Sequence, residues 1–141
     1  MGFSERIIQP LVPGRAASVA FLVGPNQTLA LPPCWQHLDD HFHYRGGSTP
    51  IPERSAFRAC SIAREAIANV PGMHGYVGVD LVLGEKDWAI EINPRLTTSY
   101  IGLRRLAETN VAEALLRIVQ GKPVALLWRE SGVDFSASAA P

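Results

Sequence analysis

Cysteine is scarce in this chain, lysine equally so, and no apolar run approaches the length of a bilayer crossing. Cys34 and Cys60 are the only cysteines, too few and too unpatterned for a disulfide scaffold. Apolar stretches such as 124–128 fall far short of the roughly 20 residues a membrane helix needs. The opening Met1-Gly2-Phe3-Ser4-Glu5-Arg6 has no signal-peptide core, and Arg6 stands where a myristoylation signal requires Ser or Thr. An excess of charge is missing too. Thirteen basic and thirteen acidic residues cancel, and no Lys/Arg stripe forms, so nucleic-acid binding has no electrostatic support. What remains is the expectation of a cytoplasmic protein, with no membrane partner, that handles a small molecule.

What is present is enough apolar material for one core. With 141 residues and 47% hydrophobic content, the chain is too short to promise two domains. Apolar residues over 6–12 predict a short strand ending at Pro13-Gly14, and 16–23 predict a second. Gly24-Pro25-Asn26-Gln27 then turns the chain into a return strand over 28–31. Segment 32–52, rich in Pro, Gly, His and Asp, has no sustained period and reads as a long loop. Ala56, Cys60, Ala63, Ile67 and Val70 recur at steps of four and three, which predicts a helix over 53–70 closed by Pro71-Gly72. A further helix, 110–120, opens on Asn110 with Glu113 in capping-box spacing, closes at Gly121, and is expected on the sheet's apolar face. The three tryptophans read as packing residues, and the small polar tail after Ser131 is expected to fray.

The densest information lies between Val77 and Arg95. Val77, Val79, Leu81 and Leu83 share one parity, as do Trp88, Ile90 and Ile92, so two half-buried strands flank the turn Gly84-Glu85-Lys86-Asp87. A symmetric hairpin pairs Leu83 with Trp88, Leu81 with Ile90 and Val79 with Ile92. On the opposite face Asp80 meets Glu91, and Asn93 lies opposite Gly78, which leaves room. Two carboxylates facing each other across an antiparallel pair repel unless a positive charge sits with them. A divalent cation supplies that charge, and so do Arg95 or Arg45 on a plain solvated face. Carboxylate and amide oxygens are hard ligands suited to Mg2+, or to Mn2+ in its place. Cys34, His37, His41 and His43 form a rival candidate for zinc.

The blocks Gly78-Val79-Asp80-Leu81-Val82 and Glu91-Ile92-Asn93-Pro94-Arg95-Leu96-Thr97-Thr98-Ser99-Tyr100 resemble the C-terminal motif of the ATP-grasp superfamily of carboxylate-amine ligases. The resemblance runs upstream through Ile8-Gln9-Pro10-Leu11-Val12-Pro13-Gly14. Tyr44-Arg45-Gly46-Gly47 resembles a glycine pair of the branch that includes tyramine-glutamate ligase-like proteins. It implies an α+β fold, an antiparallel sheet with helices packed on one face. Residues 1–125 would form the C-terminal lobe of the ATP-grasp fold, and 126–141 a partly disordered extension. By the same resemblance Asp80, Glu91 and Asn93 hold Mg2+, and Glu91 also serves the nucleotide. Gln9, Pro10, Leu11 and Val12 form the hinge that reads adenine, through the Pro10 carbonyl and the Val12 N–H. Arg95 is the catalytic cation at the phosphate end, and Arg45, Gly46, Gly47, Thr98 and Ser99 face the substrate, the last two beside a helix N-terminus.

The implied activity is amide formation: ATP phosphorylates a small-molecule carboxylate, and an amine displaces the phosphate. Two departures accompany it. Pro10 stands where relatives often carry an acidic residue, and Lys86 and Lys122, the only lysines, are not placed as phosphate clamps. The expectation is therefore half of a ligase, completed by an N-terminal lobe in trans or by self-association. The alternative is a non-catalytic binding or assembly module built on the same sheet.

Overall fold

The chain's fold follows from its first long strand, which is buried on both faces. In a computed structural model that describes residues 7–137, β1 (Arg15–Val23) sends Ala17, Val19, Phe21 and Val23 into one core. Ala20 and Leu22 enter another on the opposite face. A strand buried on both faces takes a central place in a covered sheet. Around it lie β2 (Thr28–Ala30), β3 (Cys34–Leu38), β4 (Tyr44–Thr49), α1 (Glu53–Ala68), β5 (Gly75–Leu83), β6 (Trp88–Asn93), α2 (Ser99–Leu106), α3 (Val111–Val119) and β7 (Val133–Ser136). The strand order is β6-β5-β1-β3-β4-β7, with β2 also on β1, and every pairing is antiparallel.

The α+β class and the antiparallel sheet are as expected, but the helices are divided between the faces rather than gathered on one. Helix α1 presents Ala59 and Ala63 to Val77, Val79 and Leu81 of β5. Helices α2 and α3 bring Leu103, Val111, Ala114 and Ile118 to Leu22 and Tyr76 on the other side. The caps of α3 are those its sequence predicts: Asn110 Oδ1 accepts from the N–H groups of Ala112 and Glu113 at 3.0 and 3.1 Å, and Gly121 turns the chain at φ +75°.

Three further expectations give way. Residues 7–12 are not a strand but an extended, exposed lead-in, with Ile7, Ile8 and Leu11 each more than three-quarters exposed; Arg6 lies outside the described residues. Apolar residues alone do not make a strand without a partner to pair with. Segment 32–52 is not a loop, since it contains β3 and β4, joined through a turn in which Asp39 accepts from the backbone N–H groups of His41 and His43. The tail does not fray over 133–136, where β7 pairs with β4.

Phe135 on β7 is buried against glycines. A Cβ at Gly47 would come within 2.8 Å of its ring and one at Gly102 within 2.3 Å, while one at Gly46 would strike the Phe135 carbonyl at 2.0 Å. The glycine pair of β4 is thus explained by the close approach of β7. Replacing Phe135 with Ala should cost about 3 to 5 kcal/mol of stability, the usual range for emptying an aromatic site, measured as the loss in urea-unfolding free energy.

Candidate functional site

The half of the sheet face that α2 and α3 leave uncovered is a cleft of about 360 Å3 whose lining includes Ala16, Ser18, Gln36, Tyr44, Asp80, Glu91, Asn93 and Arg95. Its floor is the even parity of β1 and β5, and its far wall is the run Thr97 to Ser99 entering α2.

The hairpin delivers the expected acidic pair. Gly78 is opposite Asn93, Val79 opposite Ile92 and Asp80 opposite Glu91. Beyond Asp80 the register slips, so Leu81 faces Ala89 and Val82 faces Trp88, in place of the predicted Leu81–Ile90 and Leu83–Trp88 pairs. Ile90 is the extra residue of a bulge, which turns it to the cleft rim, half exposed. Trp88 is also 41% exposed, beneath the Lys86 ammonium at 4.3 Å, and so is not a core residue.

Amide donors surround Asp80. Gln36 Nε2 donates to its Oδ1 at 2.8 Å, and Asn93 Nδ2 donates to its Oδ2 at 3.0 Å and to Glu91 Oε2 at 3.4 Å. Arg95 reaches the Asn93 Oδ1 at 3.4 Å. Burial, the largest influence, raises the Asp80 carboxyl above its ordinary range, and the Glu91 charge acts with it. Gln36, Asn93 and Arg95 act against it. Two carboxylates and one amide within a partly buried cleft form a hard-oxygen set of the kind that suits Mg2+ or Mn2+. The Asn93 Nδ2 faces both carboxylates while its Oδ1 faces Arg95, so the amide oxygen would join that set only with the side-chain amide turned over.

Across the cleft, Thr97 Oγ1 and Ser99 Oγ lie 2.8 Å apart, and the buried Tyr76 hydroxyl contacts them at 3.3 and 3.4 Å. Thr98 is the N-cap of α2 but makes no side-chain cap. Gly78 leaves the room foreseen for it, and Thr97 uses that room: a Cβ at Gly78 would sit 2.6 Å from the Thr97 methyl.

The remaining candidates lie elsewhere. Arg45 is exposed and paired with Asp39, whose carboxyl is lowered to about 2, chiefly by the His43 N–H. Gly46 and Gly47 are buried beneath β7. Gln9, Pro10 and Leu11 are exposed and Val12 half-buried, and none of the four lines the cleft. The rival zinc reading gains no support. Burial pushes the Cys34 thiol up to about 12, the His37 ring lies beside Ser48 and the His43 ring beside Asp39. Among the described residues no three His, Cys, Asp or Glu gather to hold a metal. Gln36, Tyr44 and Tyr76 were not anticipated in the site; Cys34-Trp35-Gln36-His37-Leu38 shows no apolar–polar alternation that marks a strand, and its burial falls along β3 instead.

The ATP-grasp domain family matches residues 1–99. The chain belongs to the ATP-grasp family. It is 32% identical over 130 residues to the tyramine–L-glutamate ligase of Methanocaldococcus fervens, covering 92% of this chain and 43% of that protein. Similarity to the Methanocaldococcus jannaschii enzyme of the same name is 31% over 132 residues, with 92% and 41% covered. An Archaeoglobus fulgidus protein assigned to the ATP-grasp superfamily has a crystal structure that superposes with a TM-score of 0.68 at 31% identity, over 81% of this chain and 36% of that one. The chain therefore spans less than half the length of the curated relatives it matches. Among the described residues no helix is long and apolar enough to cross a membrane.

Because the Asp80 carboxyl is raised in the folded chain, the native state holds its proton more tightly than the unfolded state. Its contribution to stability is complete below the unfolded carboxyl value and is lost as pH rises through the higher native one. In metal-free buffer, a carboxyl-carbon NMR titration should place the Asp80 midpoint above the ordinary aspartate range, and Gln36→Met should move it higher.

Proposed function

We propose that this chain is the ATP- and Mg2+-binding portion of an ATP-dependent carboxylate-amine ligase that works through an acyl-phosphate, acting with an N-terminal lobe supplied by further chain, in trans or by self-association. Membership of the ATP-grasp family supports the reaction class. The observation that carries the assignment to this cleft is the opposition of Asp80 and Glu91 across β5 and β6, with Asn93 between them and Arg95 on the rim.

Mg2+, held by Asp80, Glu91 and Asn93, would neutralise phosphate charge. The protein's own part is positioning and charge compensation. Arg95 follows Pro94, which fixes the backbone before it, so its guanidinium is aimed from the rim at an anionic group of the nucleotide or of the activated substrate. Thr98 and Ser99 offer hydroxyl groups to the carboxylate substrate on the opposite wall. The exposed lead-in of Gln9, Pro10, Leu11 and Val12 enters β1 at the end beside Ala16, and would meet the adenine through its backbone. Arg45 would join the substrate set by leaving Asp39, to which its Nε and Nη2 both donate; Gly46 and Gly47 would act there through their backbone. The carboxylate and amine are small molecules, and the tyramine–L-glutamate ligases point to an amino acid and an aryl-ethyl amine as the first pair to try.

Calorimetric titration of ATP into the chain should show binding that requires Mg2+ and is lost in Glu91→Gln, while circular dichroism of the variant is unchanged. Equal binding with and without Mg2+, or in the variant, would rule this reading out.

A further inference from the structure

One short contact in the cleft comes from a residue outside the Asp80, Glu91, Asn93 and Arg95 set. Gln36 sits on β3 and Asp80 on β5, two strands that flank β1. At about 4.7–4.9 Å per strand their backbones are some 9–10 Å apart. The side chains nevertheless meet at 2.8 Å, because β1 raises only Ala16 and Ser18 into the space between them. A larger residue at either position would stand in the way.

The two oxygens of Asp80 are differently engaged. Oδ1 faces Gln36, on the β3 side. Oδ2 faces Asn93 Nδ2, the same nitrogen that contacts Glu91 Oε2. The space shared by both carboxylates is therefore on the Oδ2 side, where the Asn93 amide group bridges them and would turn over to admit a cation, and the Gln36 bond lies away from it. An uncharged donor at Oδ1 fixes the carboxylate's rotation while leaving its negative charge in place, which a Lys or Arg there would cancel.

We propose that Gln36 is a positioning residue for divalent-cation binding: by holding Asp80 Oδ1 it makes Asp80 a one-oxygen ligand and so favours small octahedral ions over larger ones. The inference rests on the reading of Asp80, Glu91 and Asn93 as cation ligands given above. Mg2+ and Mn2+ suit compact octahedral sets of single oxygens, whereas Ca2+ takes more ligands at longer range and accepts both oxygens of one carboxylate. Releasing Oδ1 frees Asp80 to offer both.

The test is calorimetric titration of Mn2+ and of Ca2+ into the full chain, as wild type, Gln36→Met and Asp80→Asn, with thermal melts to show that each is folded. Gln36→Met, close in volume and without a donor, should weaken Mn2+ about tenfold or more, the usual effect of losing a partner that orients a ligand. Ca2+ should weaken less, so the Mn2+ to Ca2+ preference falls. Gln36→Asn, one methylene too short to reach, should behave the same way and serves if the Met variant does not fold. Parallel losses for both ions, or no loss for either, would overturn the role of Gln36 while Asp80→Asn still abolishes Mn2+ binding. A wild type that binds neither ion, or an Asp80→Asn variant that binds Mn2+ normally, would overturn the cation reading and the Gln36 inference together.

Discussion

Much of this structure depends on the double-sided burial of β1. Because Ala17, Val19, Phe21 and Val23 face α1 while Ala20 and Leu22 face α3, the sheet needs cover on both sides. The cover on the second side is incomplete. Helices α2 and α3 reach the Leu22 and Tyr76 end, and the Ala16 and Ser18 end is left bare. A cleft with a rigid strand floor results from where the apolar residues of one parity stop, and the polar groups of β3, β5 and β6 occupy the space.

That placement sets the electrostatics. Asp80 and Glu91 are held opposite one another by the ladder, and the Glu91 charge adds to burial in disfavouring the ionised Asp80. Amide donors from Gln36 and Asn93 and the Arg95 cation compensate part of it. A free carboxylate pair on a flexible loop would separate. In a sheet the two backbones stay opposed, and a cation between the side chains would relieve the repulsion that remains.

The acidic pair was legible in the sequence because it depends on a local hairpin, whose register is set within about fifteen residues of chain by alternation and turn. Even there the pattern misled beyond Asp80, since a bulge at Ile90 cannot be read from apolar spacing. The strands β3 and β4 were not legible. Gly46 and Gly47 are poor strand formers, and what makes them correct is Phe135, nearly ninety positions later. Gln36 was hidden for the same reason, as its partner Asp80 is 44 residues away. In the opposite direction, residues 7–12 carry a strand-like composition without a partner strand among the described residues, so composition alone overstated them.

The seat of Phe135 bears on how the chain is built. Strand β4 is complete once Thr49 is made, yet the strand that closes its outer edge spans Val133–Ser136. During synthesis from the N-terminus, the rest of the sheet can assemble first, with the β4 edge exposing unpaired backbone groups and an empty groove over its glycines. An open edge of that kind is a template for pairing with another chain. Strand β7 closes that edge, and its Phe135 packs against Gly102 of α2 as it does so.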